Sequence, residues 1–398
     1  MSKQIQDAYV VAALRTPVGR APRGMFRKTR PDDLLAHCIR GVMDQCPGLD
    51  PNDIKDVIAG CSLPEGEQGL NIARTSALLA GLPDTVPGFT LNRFCSSGIQ
   101  SVALAADRIR LGEADAMIAG GTENMSMVPM PGGRLAVNPR ILEDERIRGL
   151  AYGMGITAEL VADRWNVSRA DQDAFGAESN RRALAAIKNG EFKDEILPYT
   201  IEEHVLSADG QTVQVIKRVV DTDEGPRDST IEGLAKLKSP FRTGGSVTAG
   251  NSSQTSDGAG AVMLMSERLV SKLGLKPLAR FVGYTVTGCA PEIMGIGPIK
   301  AIPAALELVG LKKEDLDWIE LNEAFASQSL AVIRELGLDL EKVNPLGGAI
   351  ALGHPLGATG AVRTATVTHA LQRRNLRYGM VTMCMASGMG AAGIFERV

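Results

Sequence analysis

The residue with the strongest chemical signature is Cys95, in the segment LNRFCSSGIQ at residues 91–100. A short apolar, β-branched run precedes it and apolar residues recur at helical spacing after it. Cys95 is therefore predicted to lie at a turn between a strand and the start of a helix. Unpaired backbone N–H groups and the helix dipole favour an anion there, so we expect a lowered thiol pKa and a nucleophile. The alternative is a buried structural thiol, the commoner role of a free cysteine.

A histidine and a second cysteine also lie in glycine-rich turns. His354 is in NPLGGAIALGHPLGATG, and Cys384 begins CMASGMG after an apolar strand. A neutral imidazole near Cys95 could take the thiol proton, and two thiols in different surroundings could divide the nucleophile and acid–base roles. A disulfide between the two cysteines is the competing interpretation. The other three histidines are expected to be structural or exposed: His37, His204 and His369.

The composition argues against several classes of protein. With 398 residues, 44% of them hydrophobic, the chain is long enough for two or three domains with large cores. Its 43 basic and 46 acidic residues give a net charge of −3, which does not favour nucleic acid or an anionic membrane as a partner. No apolar stretch reaches the roughly 20 residues of a membrane span, and the N-terminus lacks the apolar core of a signal peptide. The six cysteines show no metal-binding spacing, so we expect no metal, a reducing compartment and a cytoplasmic protein.

The order of predicted elements is typical of a layered α/β protein. Strands and helices alternate as β–α–β–α–β–α–β up to residue 121. The predicted strands are 9–13, 54–59, 89–91 and 115–121, and the helices between them are 31–43, 72–82 and the one that follows Cys95. From residue 122 to 247 the chain becomes Met- and Pro-rich, charged and polar, which indicates an inserted loop or lid domain. Within it, residues 169–189 are predicted to be helical, and AYGMGITAE is predicted to precede another helix.

The chain also contains an internal repeat. Residues 48–57 align without a gap on residues 310–319, and both copies contain a glycine turn, an acidic cap and an apolar strand. The same offset, shifted by three residues, places Cys95 opposite His354, each at the start of an Ala-rich helix. We infer two similar α/β halves. The predicted domains are an N-terminal half at 1–121 with 248–270, an insertion at 122–247 and a C-terminal half at 271–398.

Taken together, these motifs resemble those of the thiolases, the family of acetyl-CoA acyltransferases. NRFCSSG, GGTENMS, TAGNSSQTSDGAGA, NEAFA, GGAIALGHPLGATGA and CMASGMG occur in the family's order, between VVAALRTPVGR and the C-terminal GIFERV. The resemblance implies the thiolase fold of the α/β class, in which two duplicated βαβαβαββ halves form five layers in the order α/β/α/β/α. It also implies a homodimer or homotetramer that binds CoA thioesters.

The resemblance assigns roles to four catalytic side chains. By similarity, Cys95 carries the acyl group as a thioester, His354 activates it, and Cys384 moves the proton at the substrate's α-carbon. Asn322 of NEAFA would hold a water that forms one oxyanion hole with His354. The backbone N–H groups of Cys95 and Ala386 would form the other. Many relatives have glycine where Ala386 stands, a difference that a backbone donor tolerates.

The resemblance also implies contacts to coenzyme A, which is a substrate, and it requires no metal or redox cofactor. Ser253 resembles the family's contact to the pantetheine arm. Met154 is expected to line the acyl end of the site, and Phe325 of NEAFA is a further expected CoA contact. Arg227, with the Asp-Glu pair at 223–224, resembles the contact on the adenine side.

The predicted activity is thiolytic cleavage of a 3-ketoacyl-CoA by CoA to acetyl-CoA and a shortened acyl-CoA. Acetoacetyl-specific biosynthetic members usually have His-Met-Gly in the lid motif, whereas this chain has Gly-Met-Gly at 153–155. That difference resembles the degradative, broader group and implies a role in fatty acid β-oxidation. The alternatives are acetoacetyl-CoA synthesis and a catalytically silent CoA-binding scaffold. A β-ketoacyl synthase is disfavoured, because that sister group resembles a Cys-His-His arrangement and the third position here is Cys384.

Overall fold

The structure is a computed structural model that describes residues 5–133, 136–207 and 210–398. In these ranges the chain forms twelve strands and twelve α-helices, and none of these helices is both long and apolar enough to cross a membrane. The strands are β1 (Ala8–Arg15), β2 (Gly19–Arg20), β3 (Ile54–Gly60), β4 (Gly88–Leu91), β5 (Ala116–Asn124), β6 (Tyr199–Leu206), β7 (Val213–Val220), β8 (Ser256–Ser266), β9 (Ala279–Gly288), β10 (Trp318–Leu321), β11 (Tyr378–Met385) and β12 (Met389–Glu396). The helices are α1 (Pro31–Asp44), α2 (Ile72–Leu79), α3 (Ser97–Arg110), α4 (Arg140–Glu143), α5 (Met154–Arg164), α6 (Arg169–Lys188), α7 (Ile231–Ala235), α8 (Glu267–Leu273), α9 (Gly297–Val309), α10 (Ala326–Leu336), α11 (Ala349–Leu352) and α12 (Leu356–Arg373).

Most of the strands follow one another in a single hydrogen-bonded order, β10-β11-β12-β9-β1-β8-β5-β3-β4. The first half contains β3 parallel to β4 and β5, with β8 antiparallel between β5 and β1. The second half contains β10 parallel to β11, with β12 antiparallel between β11 and β9. The halves join where β1 meets β9, through the pairs Tyr9–Arg280 and Val10–Ala279. The order β3-β5-β8-β1 in the first half matches β10-β11-β12-β9 in the second, which confirms the predicted duplication.

The repeat found in the sequence has the same local structure in both copies. Gly48 and Gly310 have φ angles of +85° and +69°, a left-handed conformation that glycine adopts without a steric cost. Each is followed by a 3₁₀ turn, at Pro51–Asp53 and Lys313–Asp315, and then by β3 or β10. The repeat therefore contains the turn that leads into the second long strand of each half, together with the first residues of that strand.

The two halves differ at their third strand. In the first half this strand is β4, whereas in the second half Val343 forms only an isolated bridge with Ile319. Asn344 has a φ of +46°. Its side-chain amide accepts a hydrogen bond from the N–H of Leu321 at 2.9 Å and donates one to the C=O of the same residue at 2.7 Å. A side chain thus replaces backbone pairing, so the predicted βαβαβαββ order lacks one strand in the second half.

Helices at equivalent positions in the two halves form the central layer. α3 and α12 share one core cluster with strands from both halves, and its buried members include Ile99, Val102, Ala361 and Ala365. The helices approach closely because one contact residue is glycine: a Cβ on Gly360 would lie 2.0 Å from the backbone nitrogen of Ile99. α1 and α2 cover the first half, and α9 and α10 cover the second. The resulting order of helix, sheet, helix, sheet and helix is the predicted five-layer α/β arrangement.

The segment between β5 and β8 contains α4 to α7 and the hairpin of β6 and β7. Arg15, at the end of β1, holds this segment. Its guanidinium contacts the carboxylates of Glu195 at 2.7 Å and Asp223 at 2.8 Å, and all three side chains are buried. Buried charges are tolerated when they are paired and hydrogen-bonded in this way. β5 includes residues 122–124, so the insertion begins three residues later than the predicted boundary at 122.

Candidate active site

Cys95 lies in a sharp turn between β4 and α3, where the sequence analysis placed it. The turn is the 3₁₀ segment Phe94–Ser96, and α3 begins at Ser97. Phe94 has a φ of +48°, which is uncommon for any residue other than glycine. Ser97 secures the turn, because its hydroxyl accepts from the N–H of Arg93 at 2.8 Å and donates to the C=O of Phe94 at 2.7 Å.

The electrostatic surroundings of the Cys95 thiol differ from the expectation. Burial raises the pKa of Cys95 to about 12, although hydrogen bonds from the backbone N–H groups of Ala386 and of Cys95 itself lower it. The nearby Glu123 raises this pKa further. The predicted lowering is therefore wrong in its net direction, because the loss of water outweighs the two N–H donors. The resting thiol is neutral and needs a base before it can attack.

His354 has the properties of such a base. It lies between α11 and α12, follows Gly353 with its φ of +91°, and is only 4% exposed. Burial, and to a lesser extent the positive charge of Arg363, lower the pKa of His354 to about 3. The imidazole is thus neutral at physiological pH and can accept a proton. Arg363 is itself buried and paired with Glu320 at 3.5 Å.

The turns that carry Cys95 and His354 belong to closely packed elements. A Cβ on Gly98, in the first turn of α3, would lie 2.9 Å from the carbonyl oxygen of Gly357 at the start of α12. Glu123, near the end of β5, fixes this region because its carboxylate accepts the N–H of Gly357 at 2.8 Å. The two helix starts that the repeat made equivalent therefore meet in one place.

Asn322 comes directly after β10 and contacts the imidazole. Its Nδ2 lies 3.3 Å from Nε2 of His354. Its Oδ1 is buried without a hydrogen-bond partner among the described residues, and a buried acceptor of this kind commonly binds a water. Glu323 fastens the turn to the glycine-rich segment before the histidine, since its carboxylate accepts from the Ser179 hydroxyl at 2.6 Å and the Ile350 N–H at 3.2 Å.

Cys384 is fully buried near the end of β11. Burial raises the pKa of the Cys384 thiol well above its ordinary value, and the neighbouring thiols of Cys95 and Cys289 raise it further. The thiol packs in an apolar cluster that contains Phe325. Two residues further on, Ala386 supplies the N–H that faces the Cys95 sulfur. A neutral thiol in this position is a weak acid that can give a proton to a carbanion.

Three of the four predicted CoA contacts lie beside Cys384. Met154 packs against the apolar cluster that contains Cys384 and Phe325. Met154 is the first residue of α5, so the lid motif begins this helix and does not precede it as predicted. The backbone N–H of Ser253 donates to the C=O of Ala324 at 2.9 Å, which places Ser253 next to Phe325.

Arg227, the fourth predicted contact, lies apart from these residues on the insertion. It is exposed, its backbone N–H donates to Asn180 at 3.1 Å, and its guanidinium forms no ion pair with another described residue. Partial burial and the charge of Arg20 lower the pKa of Arg227. The carboxylates at 223–224 are already used within the chain: the first pairs with Arg15 and the second accepts from the backbone N–H of Arg20.

Three buried residues that contact the site or its supporting turns are not among the site residues predicted from the sequence: Glu123, Glu323 and Thr359. The sequence does indicate the two glutamates as candidate site residues, since GGTENMS and NEAFA each place a carboxylate at the end of a buried strand. Thr359 lies 2.7 Å from Nδ1 of His354 and had no signal beyond its position on the helix that follows the histidine. In the described ranges, no group of three or more His, Cys, Asp and Glu side chains could hold a metal ion.

Comparison with known proteins identifies the family. The model for the thiolase N-terminal domain matches residues 8–268, and the model for the thiolase C-terminal domain matches residues 275–397. The 3-ketoacyl-CoA thiolase of Bacillus subtilis (strain 168) is 50% identical over 393 residues, which cover 98% of this chain and 100% of that protein. The crystal structure of the Bacillus anthracis acetyl-CoA acetyltransferase has a TM-score of 0.90 at 40% identity, with 100% of both chains covered. The dimeric peroxisomal thiolase of Saccharomyces cerevisiae has a TM-score of 0.89 at 39% identity, with 99% of this chain and 98% of that chain covered. The chain belongs to the thiolase family and has the thiolase fold, as its motifs predict.

Proposed function

We propose that the chain is an acetyl-CoA C-acyltransferase that cleaves 3-ketoacyl-CoA with CoA, through an acyl thioester on Cys95. Its family makes it an acyltransferase. One juxtaposition carries the proposal: the Cys95 thiol accepts from the N–H of Ala386, and the start of α3 that follows it packs against the start of α12, which follows His354 and its partner Asn322. A neutral thiol, a neutral base and two sets of hydrogen-bond donors suit carbon–carbon cleavage by acyl transfer.

In the first half-reaction, the sulfur of Cys95 attacks the 3-keto carbon while Nε2 of His354 takes the thiol proton. The N–H groups of Cys95 and Ala386 stabilise the oxyanion of this adduct, because both face the sulfur. The bond between C2 and C3 then breaks. Its electrons form the enolate of acetyl-CoA, whose oxygen is held by His354 and by a water on Asn322. Cys384 protonates C2 and becomes a thiolate.

In the second half-reaction, CoA replaces acetyl-CoA. The Cys384 thiolate takes the proton of the CoA thiol, and the CoA sulfur attacks the acyl thioester on Cys95. The shortened acyl-CoA leaves, and the Cys95 thiolate recovers its proton from His354. Both cysteines and the histidine thus return to their starting protonation states. Burial around Cys384 supports this role, since a thiol with a raised pKa gives a strongly basic thiolate.

We assign the CoA contacts by the same reasoning. Met154 and Phe325 supply apolar surface near Cys384 for the acyl and pantetheine portions. Ser253, held beside them, offers its hydroxyl to the pantetheine arm. Arg227 is a cation without a carboxylate partner among the described residues, so it is suited to the adenine and phosphate end. Coenzyme A is a substrate in this scheme, and no step requires a metal or redox group.

The test is the rate of CoA-dependent thiolysis of acetoacetyl-CoA and of a long-chain 3-ketoacyl-CoA. We expect the wild type to cleave both and Cys95→Ala to cleave neither. Cys46→Ala is the matched control, because it removes a free thiol that packs in the core cluster of the first half. Activity confined to acetoacetyl-CoA would favour acetoacetyl-CoA synthesis, the alternative suggested by the B. anthracis acetyl-CoA acetyltransferase. CoA binding without cleavage of either substrate would favour a silent scaffold.

We also propose that the protein is a homo-oligomer, with the dimer as its basic unit. The related S. cerevisiae thiolase is described as dimeric. β4 is an edge strand of this chain, Phe89 on it is 38% exposed, and the nearby Leu70 is 97% exposed. A free edge with apolar side chains favours pairing with a second copy. Light scattering should report a dimer or tetramer for the wild type and a smaller species for Phe89→Lys.

A cytoplasmic location is part of the proposal, because all six cysteines are free thiols.

A further inference from the structure

Each ring nitrogen of His354 has one hydrogen-bonding partner in the described part of the chain. Nδ1 lies 2.7 Å from the hydroxyl oxygen of Thr359, and Nε2 lies 3.3 Å from Nδ2 of Asn322. All three side chains are at least 96% buried, so water does not compete freely for these contacts. The proton of the neutral ring must therefore be placed by these two partners.

Both contacts select the same tautomer. The Thr359 hydroxyl donates to the C=O of Pro355 at 3.2 Å, and a carbonyl can only accept. Since a hydroxyl carries one hydrogen, its oxygen is left to accept from an N–H on Nδ1 of His354. On the other side, the Asn322 amide nitrogen is a donor, so Nε2 is left without a proton. The lone pair of Nε2 then faces the Asn322 amide.

From these contacts we infer that Thr359 is a positioning residue. It holds the proton of His354 on Nδ1 and so keeps Nε2 unprotonated, in the state that can take the proton of Cys95. The inference rests on the proposed function, in which Nε2 is the base. Without the hydroxyl, a neutral ring would either bury an unpaired N–H on Nδ1 or move its proton to Nε2. The second arrangement removes the base, because a protonated Nε2 has no lone pair to offer.

The test uses three variants of the full-length protein. Thr359→Val keeps the shape and removes the hydroxyl, and Thr359→Ser restores it. Thr364→Val is the matched control, because Thr364 is a buried threonine of the same helix whose hydroxyl donates only to the C=O of Gly360, at 2.7 Å. Both valine variants lose one side-chain bond to the helix backbone, but only Thr359→Val loses a contact to the histidine.

The first readout is the tautomer, measured by two-bond ¹H–¹⁵N NMR on protein labelled at histidine nitrogen. The chain has four histidines, and His354→Asn identifies the relevant signal by its loss. We expect the proton on Nδ1 in the wild type, in Thr359→Ser and in Thr364→Val, and a shift toward Nε2 in Thr359→Val. A wild-type proton on Nε2 would overturn the inference, and this measurement depends on no variant at position 359 being stable.

The second readout is thiolysis. We expect kcat/KM to fall about 10–100-fold in Thr359→Val, as for other residues that orient a functional imidazole. The KM for CoA should stay within about twofold of wild type, as should kcat/KM of Thr364→Val. Thr359→Ser should recover most of the rate. An equal loss in Thr364→Val, or a Thr359→Val that keeps the wild-type rate, would contradict a positioning role. A wild type with the Nδ1 tautomer that cleaves no 3-ketoacyl-CoA would support the inference and refute the proposed function.

Discussion

The contact between α3 and α12 gives the sharpest test of how the two halves build one site. Gly360 lies near the start of α12, where a Cβ would be 2.0 Å from the nitrogen of Ile99 and 2.7 Å from the carbonyl carbon of Gly98. Both are backbone atoms of α3 and cannot rotate aside. Gly360→Ala must therefore separate the helices by roughly 1.5 Å to reach the ~3.5 Å of ordinary contact. Overpacking of this kind costs about 1–3 kcal/mol of folding free energy.

The larger effect of Gly360→Ala should be on catalysis. α3 follows the turn of Cys95 and α12 follows His354, so separating the helices separates the nucleophile from its base. A misplacement of about 1 Å can cost about 100-fold in rate. We expect kcat/KM for acetoacetyl-CoA thiolysis to fall by about that factor, and the calorimetric Tm to fall by about 1–4 °C.

The matched control for this substitution is Gly288→Ala. A Cβ at Gly288 would meet no atom of a non-adjacent described residue within 4 Å, and its backbone is not left-handed. This variant should keep the wild-type kcat/KM and Tm. If Gly360→Ala also kept both, the tight approach of the two helices would not matter for the site, and the reasoning would be refuted.

Three further predictions follow from the charges. Burial raises the pKa of Cys95 to about 12, so the rate of its alkylation by iodoacetamide should rise about tenfold per pH unit from pH 7 to 9. Peptide mass mapping measures that rate. A rate that levels off below pH 8 would contradict this prediction. Arg15→Met should lower the free energy of unfolding in urea by about 3–5 kcal/mol, because it leaves two buried carboxylates without their cationic partner. Its control is Arg146→Met, which breaks an exposed ion pair and should lower that free energy by less than about 1 kcal/mol. Arg227→Ala should raise the KM for CoA about 3–10-fold with little change in kcat. Its control, Lys276→Ala, replaces an exposed lysine and should change neither constant. A loss of kcat without a change in KM would contradict a role of Arg227 in CoA binding.

Elements with a local signature could be predicted from the sequence. The glycine turn, acidic cap and apolar strand recur at 48–57 and 310–319, and both copies fold into the same 3₁₀ turn and strand. Cys95 and His354 could be identified because each occupies a turn just before a helix, in surroundings unusual for a structural residue. The family motifs add Cys384 and Asn322 as further predicted site residues.

Features that depend on distant contacts could not be predicted. Arg15 pairs with Asp223 across 208 positions, and no local pattern joins them. The helix start around Cys95 predicts a lowered thiol pKa from the donors of its own turn, whereas burial in the folded chain decides the direction of the shift. The strand missing from the second half is replaced by the side chain of Asn344, a substitution that apolar periodicity does not reveal.

The central claim is that Cys95 carries the acyl group. The most direct measurement is the intact mass of the protein after incubation with acetyl-CoA. The wild type and Cys46→Ala should each gain the mass of one acetyl group, and Cys95→Ala should gain none. No adduct on the wild type, or an equal adduct on Cys95→Ala, would contradict the account.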